Sequence, residues 1–235
     1  MLRCPTRVPT RPIGAARAVV PPVYLLLLAA AIGYLLGSIP FGIVIGRLLG
    51  VDPRTVGSGR TGTTNVYRAV GLPGALGTLI GDVLKAALAV WIAGRIVPQP
   101  EWQAWAMSAA AVAAILGHNH SIYIGFRGGA GGTPNAGALL AIWPAAFVPG
   151  IVLAALAWFG VRIASVATLT ISFWALGSMV YRVAVTGSSP GYLLYGFGQL
   201  ALIIWALRPN IARLVRGEER RIELSRDALA GRPPR

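Results

Sequence analysis

The chain is 235 residues long, 55% hydrophobic and only 12% charged, with a mean hydropathy of +0.66. A soluble globular domain carries about 25% charged residues, so this composition excludes one and indicates a polytopic membrane protein. The excess of 21 Lys+Arg over 7 Asp+Glu follows from arginine-rich flanks of membrane spans and not from nucleic-acid binding, and a sole cysteine, Cys4, excludes a disulfide framework.

Residues 1–20 are rich in Arg and Pro and read as a disordered tail. The apolar run at 23–46 has no polar cleavage region behind it, so it reads as a retained anchor and not as a signal peptide. A basic loop follows. Beyond it lie apolar runs at about 73–97, 104–124, 135–160, 164–185 and 191–207, each near the ~20 residues a span needs. Six spans would set two arginine-rich segments on opposite faces, 47–68 with four arginines and 208–235 with eight. The positive-inside rule wants both in the cytoplasm. The run at 135–160 resolves the conflict, because Pro144, Pro149 and Gly150 interrupt a helical ladder there. Two short helices with a turn at 143–150 bring the total to about seven transmembrane helices. The expected fold is all-α, with a membrane domain at 21–215, a basic cytoplasmic tail at 216–235, and a site formed by cytoplasmic loops.

Seven spans gather four polar segments on one face: GSGRTGTTNVYR (57–68), GHNHSIYIGFRGGAGG (117–132), Arg162 to Ser165, and RPNIARLVRGEE (208–219). The first reads as a short loop whose glycines, hydroxyls and two arginines, Arg60 and Arg68, can cradle a phosphate. Arg68 is read as the phosphate ligand, since a guanidinium fork meets phosphate oxygens in two places. Arg47 and Arg54 read as headgroup or topology charges. Gly128, Gly129, Gly131 and Gly132, beside Arg127, offer a run of backbone N–H groups suited to a second phosphate. His118 reads either as a cap at a helix end or as a general base. Asp82 and Lys85, one turn apart in the second span, read as a self-neutralising pair that could brace the first loop. No carboxylate cluster suited to Mg²⁺ and no Ser-His-Asp set is present, so neither metal nor cofactor is expected.

Residues 38–71, then 117–132 with the elements GH and FRGGAGG, then 208–219, resemble in order the three signature blocks of the bacterial acyl-phosphate-dependent glycerol-3-phosphate acyltransferases, the PlsY family. The similarity spans roughly residues 30–220. It implies a seven-helix enzyme of the bacterial inner membrane that moves a fatty acyl group from acyl phosphate to the 1-hydroxyl of glycerol 3-phosphate. The product is lysophosphatidic acid, made at the cytoplasmic face among membrane lipids. Carried across by position, the family's site residues match Ser58, Thr64, Asn65, Arg68, Ser165 and Asn210. Departures are specific: Arg60 stands where the family has asparagine, Thr63 where alanine is usual, Ala130 where the glycine run carries lysine, and Leu207 where a histidine is expected. Arg60 is therefore expected to bind substrate in place of the missing lysine. Two other readings remain open: a catalytically impaired relative that binds phospholipid precursors, and an organic-anion transporter. The latter calls for inverted repeats, and none is evident in the sequence.

Overall fold

The computed structural model describes residues 23–224; the expected N-terminal tail and residues 225–235 lie outside the described residues. Within them are eight α-helices: α1 (Val23–Ser38), α2 (Phe41–Leu48), α3 (Thr63–Ile96), α4 (Pro100–Asn119), α5 (Gly132–Ile142), α6 (Pro144–Leu156), α7 (Ala164–Thr186) and α8 (Gly191–Val215). Only isolated bridges, and no strands, occur among the described residues. In lipid every backbone N–H and C=O must be satisfied internally, which leaves helices as the economical solution for such apolar runs.

Five segments are long and apolar enough to cross a membrane: Val23–Leu48, Thr63–Ile96, Pro144–Val161, Ala164–Thr186 and Gly191–Val215. The less apolar α4 and the short α5 complete seven passes. At 11 residues, α5 extends only about 16 Å, short of the ~30 Å hydrocarbon core. It is buried from Pro134 to Leu139 and packs on α3, α6 and α7, so its length is no obstacle. The first pass breaks at Ile39–Pro40, where α1 gives way to α2. α1 packs along α4 through Gly33 and Gly37, at which any Cβ would run into the carbonyls of Ala110 and Ala114.

Three boundaries differ from the sequence reading. The expected loop at 57–68 is helical from Thr63 onward, and α3 kinks at Gly71 (φ 76°, ψ −167°) before Pro73. The expected turn at 143–150 is a break at the single residue Trp143, and Pro149 is accommodated inside α6. The last helix does not stop at 207 but continues through Pro209 to Val215. Beyond it, Gly217 (φ 73°) turns the chain back. Residues 216–224 then run as a strap: Ile222 N–H donates to the Arg162 carbonyl (2.7 Å) and Tyr67 Oη donates to the Glu223 carbonyl (3.1 Å). Ile222 is buried against Tyr67, Ala75 and Trp158. The main core, centred on Ile115, Leu139, Met179, Tyr195, Ile203 and Leu207, lies below the end of the bundle where this strap crosses.

Candidate active site

A cavity of about 310 Å³ opens at that end of the bundle. Three of its walls are helix beginnings: Gly62 to Asn65 at α3, Gly131 to Thr133 at α5, and Ala164, Ser165 and Thr168 at α7. First-turn amides have no partner within their own helix and carry the positive end of its dipole. Three such turns around one space suit an anion. Glycine is required at Gly131, whose φ of 92° lets α5 start abruptly.

Asn65 shapes the approach to α3. Its Nδ2 donates to the carbonyls of Pro53 (2.7 Å) and Arg60 (2.8 Å), while Oδ1 accepts from the Ser58 amide (2.9 Å). Buried and fully committed to loop backbone, Asn65 holds Ser58 on the cavity wall. Thr64 also lines the cavity, and its Oγ1 accepts from Trp158 Nε1 (3.1 Å). Further back, hydrogen bonds from the Arg54 side chain and amide hold the Asp52 carboxyl down at about 2, below its usual 3.8. The depressed value means this brace is complete above the ordinary carboxyl range and is lost only as pH falls through about 2.

Four arginines, Arg60, Arg68, Arg213 and Arg220, face one carboxylate, Glu219. Arg60 Nη2 donates to the Ala206 carbonyl (2.7 Å). Burial lowers the Arg60 pKa, Arg213 adds to that and Glu219 opposes it; an arginine remains cationic at neutral pH regardless. Arg220 Nη1 donates to the Gly57 carbonyl (2.6 Å), fastening the strap to the loop. Glu219 accepts from Asn210 Nδ2 (2.7 Å) and Arg213 Nε (2.9 Å). Arg68, half-buried on the second turn of α3, has no hydrogen bond or ion pair to the described residues. Two more groups await partners: the buried Ser165 Oγ and Asn210 Oδ1.

Of the residues singled out from sequence, Ser58, Arg60, Thr64, Asn65, Arg68, His118, Gly129, Gly131, Gly132, Ser165 and Asn210 line this one cavity. Arg127 is exposed and outside the lining, and Gly128 instead packs on the His118 carbonyl. His118 is no helix cap: its ring is buried, with Nδ1 3.1 Å from Lys85 Nζ. Lys85 pairs with Asp82 (2.6 Å) and donates to the Ile39 carbonyl (2.8 Å), so the pair braces the α1–α2 break and α4 in place of the first loop. The sequence reading put the segment 208–219 at this face without assigning a role to Arg213 or Glu219, and it missed Arg220, Thr133 and Thr168 as lining residues. Arg213 was findable, since it follows Asn210 by three positions on one helix and so shares its face. The strap residues were not, because nothing in a polar tail announces that it folds back.

Residues 27–217 match the family model described as glycerol-3-phosphate acyltransferase. The protein of that name from Anaeromyxobacter sp. (strain K) is 41% identical over 198 residues, which cover 83% of this chain and 96% of that relative. Its namesake from Rubrobacter xylanophilus is 37% identical over 201 residues, covering 83% and 94%. The crystal structure of PlsY, an integral membrane glycerol 3-phosphate acyltransferase, in its glycerol 3-phosphate form superposes with a TM-score of 0.74 at 32% identity, covering 84% of this chain and 96% of that one. The same protein in its lysophosphatidic acid form gives 0.72 at 31% identity, with coverage of 83% and 94%.

Proposed function

The chain belongs to the glycerol-3-phosphate acyltransferase family, and on that premise we propose that it transfers a fatty acyl group from acyl phosphate to the 1-hydroxyl of glycerol 3-phosphate. The observation that carries this reading is Arg68: a guanidinium without a hydrogen-bond partner among the described residues, on a cavity wall that also presents the unpartnered Ser165 Oγ and Asn210 Oδ1. Leaving such groups buried and unmet costs stability; a substrate with phosphate oxygens and hydroxyls satisfies all three. Phosphate oxygens accept from Arg68 and the first-turn amides. The Asn210 carbonyl oxygen, its Nδ2 being held by Glu219, suits a substrate hydroxyl as donor.

In the step itself the glycerol hydroxyl oxygen attacks the acyl carbonyl and the bond from that carbon to the phosphate oxygen breaks. The hydroxyl proton leaves on the released phosphate. Positioning and charge stabilisation supply the catalysis, with Ser58 and Arg60 at the rim and the three helix starts around the developing charge. For the fatty chain an apolar groove of about 610 Å³ lies on the lipid-facing side of α3, lined by Leu36, Phe41, Leu84, Leu88 and Trp91. Lys85 forms its inner end, in contact with the cavity-lining His118. We place the site at the cytoplasmic face of the bacterial inner membrane, because the arginine-rich segments collect there.

A test uses purified protein with labelled glycerol 3-phosphate and acyl phosphate. Lysophosphatidic acid is expected, and its loss by about 100-fold in Arg68→Ala, the upper part of the ~1.5–3 kcal/mol that a hydrogen bond to a charged group supplies. Tight glycerol 3-phosphate binding without product would instead support the impaired-relative reading, which the apolar Ala130 and Leu207 on the cavity wall favour. Uptake into sealed vesicles without product would point to transport.

A further inference from the structure

Beneath the cavity, Asp82 and Lys85 of α3, His118 of α4 and Thr133 of α5 form a buried polar cluster. An ammonium group has three hydrogens and no lone pair. Lys85 Nζ has three acceptors around it: Asp82 Oδ1 at 2.6 Å, the Ile39 carbonyl at 2.8 Å and His118 Nδ1 at 3.1 Å. The Asp82 contact is an ion pair and not a hydrogen bond, whereas the Ile39 carbonyl and His118 Nδ1 each lie at hydrogen-bond distance. Because the ammonium can only donate, His118 Nδ1 presents its lone pair. The competing arrangement, with a proton on Nδ1 shared with Asp82, has a longer separation of 3.5 Å. It would also set an N–H hydrogen against the ammonium.

A neutral imidazole whose Nδ1 is an acceptor carries its hydrogen on Nε2. That nitrogen lies against the glycine turn at the start of α5: a Cβ on Gly129 would overlap it. The ring lines the cavity, and Nε2 has no hydrogen-bond partner among the described residues. We propose that His118 is a fixed, neutral Nε2–H donor to the phosphate group bound at the glycine turn, and that Lys85 and Asp82 are positioning residues that set its tautomer. It follows that His118 is not the base. Nε2 already holds a hydrogen and Nδ1 is closed by Lys85, so the ring has nowhere to take the glycerol proton. The titratable groups acting on the ring are Asp82 and Lys85 themselves; the turn before α5 meets it through Gly129, and Thr133 of α5 bonds Asp82 (3.3 Å). The proposal rests on the acyl-transfer reading only for the identity of the phosphate.

The test is ¹⁵N NMR of the histidine rings in the intact protein in lipid nanodiscs, with His120→Gln used to assign the second of the two histidines. The expected His118 spectrum has a pyrrole-type Nε2 and a pyridine-type Nδ1, unchanged between about pH 5 and 8, the range in which a free histidine titrates. Addition of glycerol 3-phosphate or inorganic phosphate, with binding followed by calorimetry, should move the Nε2 resonance. Lys85→Met, where it folds, should release Nδ1 so that His118 titrates and the pH–rate profile gains a limb. A hydrogen on Nδ1, titration in the wild-type protein, or phosphate binding that leaves Nε2 unmoved would each overturn the proposal. An inactive wild-type enzyme with the expected tautomer would instead count against the acyl-transfer reading alone.

Discussion

Ser165 separates a binding role from a structural one by the signs of two measurements. Its hydroxyl is buried and has no partner among the described residues, so removing it takes away a desolvated group and no hydrogen bond. Ser165→Ala is therefore expected to leave thermal stability unchanged or raised by up to ~1 kcal/mol, while KM for glycerol 3-phosphate rises about 10-fold, the value of one hydrogen bond to a charged partner. Lowered stability with KM unchanged, read by thermal denaturation and kinetics, would make it a packing residue. Arg60 calls for a different comparison. It shares the cavity wall with Ala130, the position at which the resemblance implies a lysine. Loss of one charge-assisted contact is worth about 10- to 100-fold, and Arg60→Asn should lower kcat/KM by that much. Adding Ala130→Lys should restore part of it, because a cation returns to the same cavity; an unaffected single variant would remove Arg60 from the site.

At the scale of elements, the site depends on where helices begin. Apolar periodicity marked where the spans lie but not that α3 starts eight or more residues before its apolar run, at Thr63. The polar residues of 63–70 hid a helix because their partners are tertiary: Asn65 bonds the loop behind it, Thr64 meets Trp158, and Tyr67 meets the strap. Gly71 is what makes this geometry available. Its φ of 76° and ψ of −167° occupy a region open essentially to glycine alone, and the kink lets the first two turns of α3 lean across the cavity while the remainder crosses the membrane. Gly71→Ala should cost about 1–3 kcal/mol, seen as a lowered melting temperature. Activity should fall further than stability does, since Thr64, Asn65 and Arg68 all ride on the displaced segment. Full activity with a lowered melting point would separate the kink from the site.

For the molecule as a whole, parity was the most legible property, since arginine distribution alone demanded an odd number of passes once the 135–160 run was divided. The structure divides it at Trp143, and the polar ends of α3, α4, α5, α7 and α8 then meet around one cavity. What the sequence did not disclose was closure. Residues 216–224 look like a solvated tail, yet they carry Glu219 to Asn210 and Arg213, Arg220 to Gly57, and Ile222 into an apolar niche. A charged strap reads as tail until its partners, 163 residues away in the chain for Gly57, are brought beside it. The arrangement makes a prediction about sidedness. The α7–α8 connection at Gly187–Pro190 lies at the far end of both helices from the cavity, and the turn at Arg216–Gly217 lies beside it. In a Cys4→Ser background, Ser188→Cys in sealed right-side-out vesicles should react with an impermeant maleimide. Arg216→Cys, at an exposed position, should react only after the vesicles are opened. If both positions label from the same side, the odd number of passes fails, and with it the placement of the arginine-lined cavity at the face where a soluble phosphate ester is supplied.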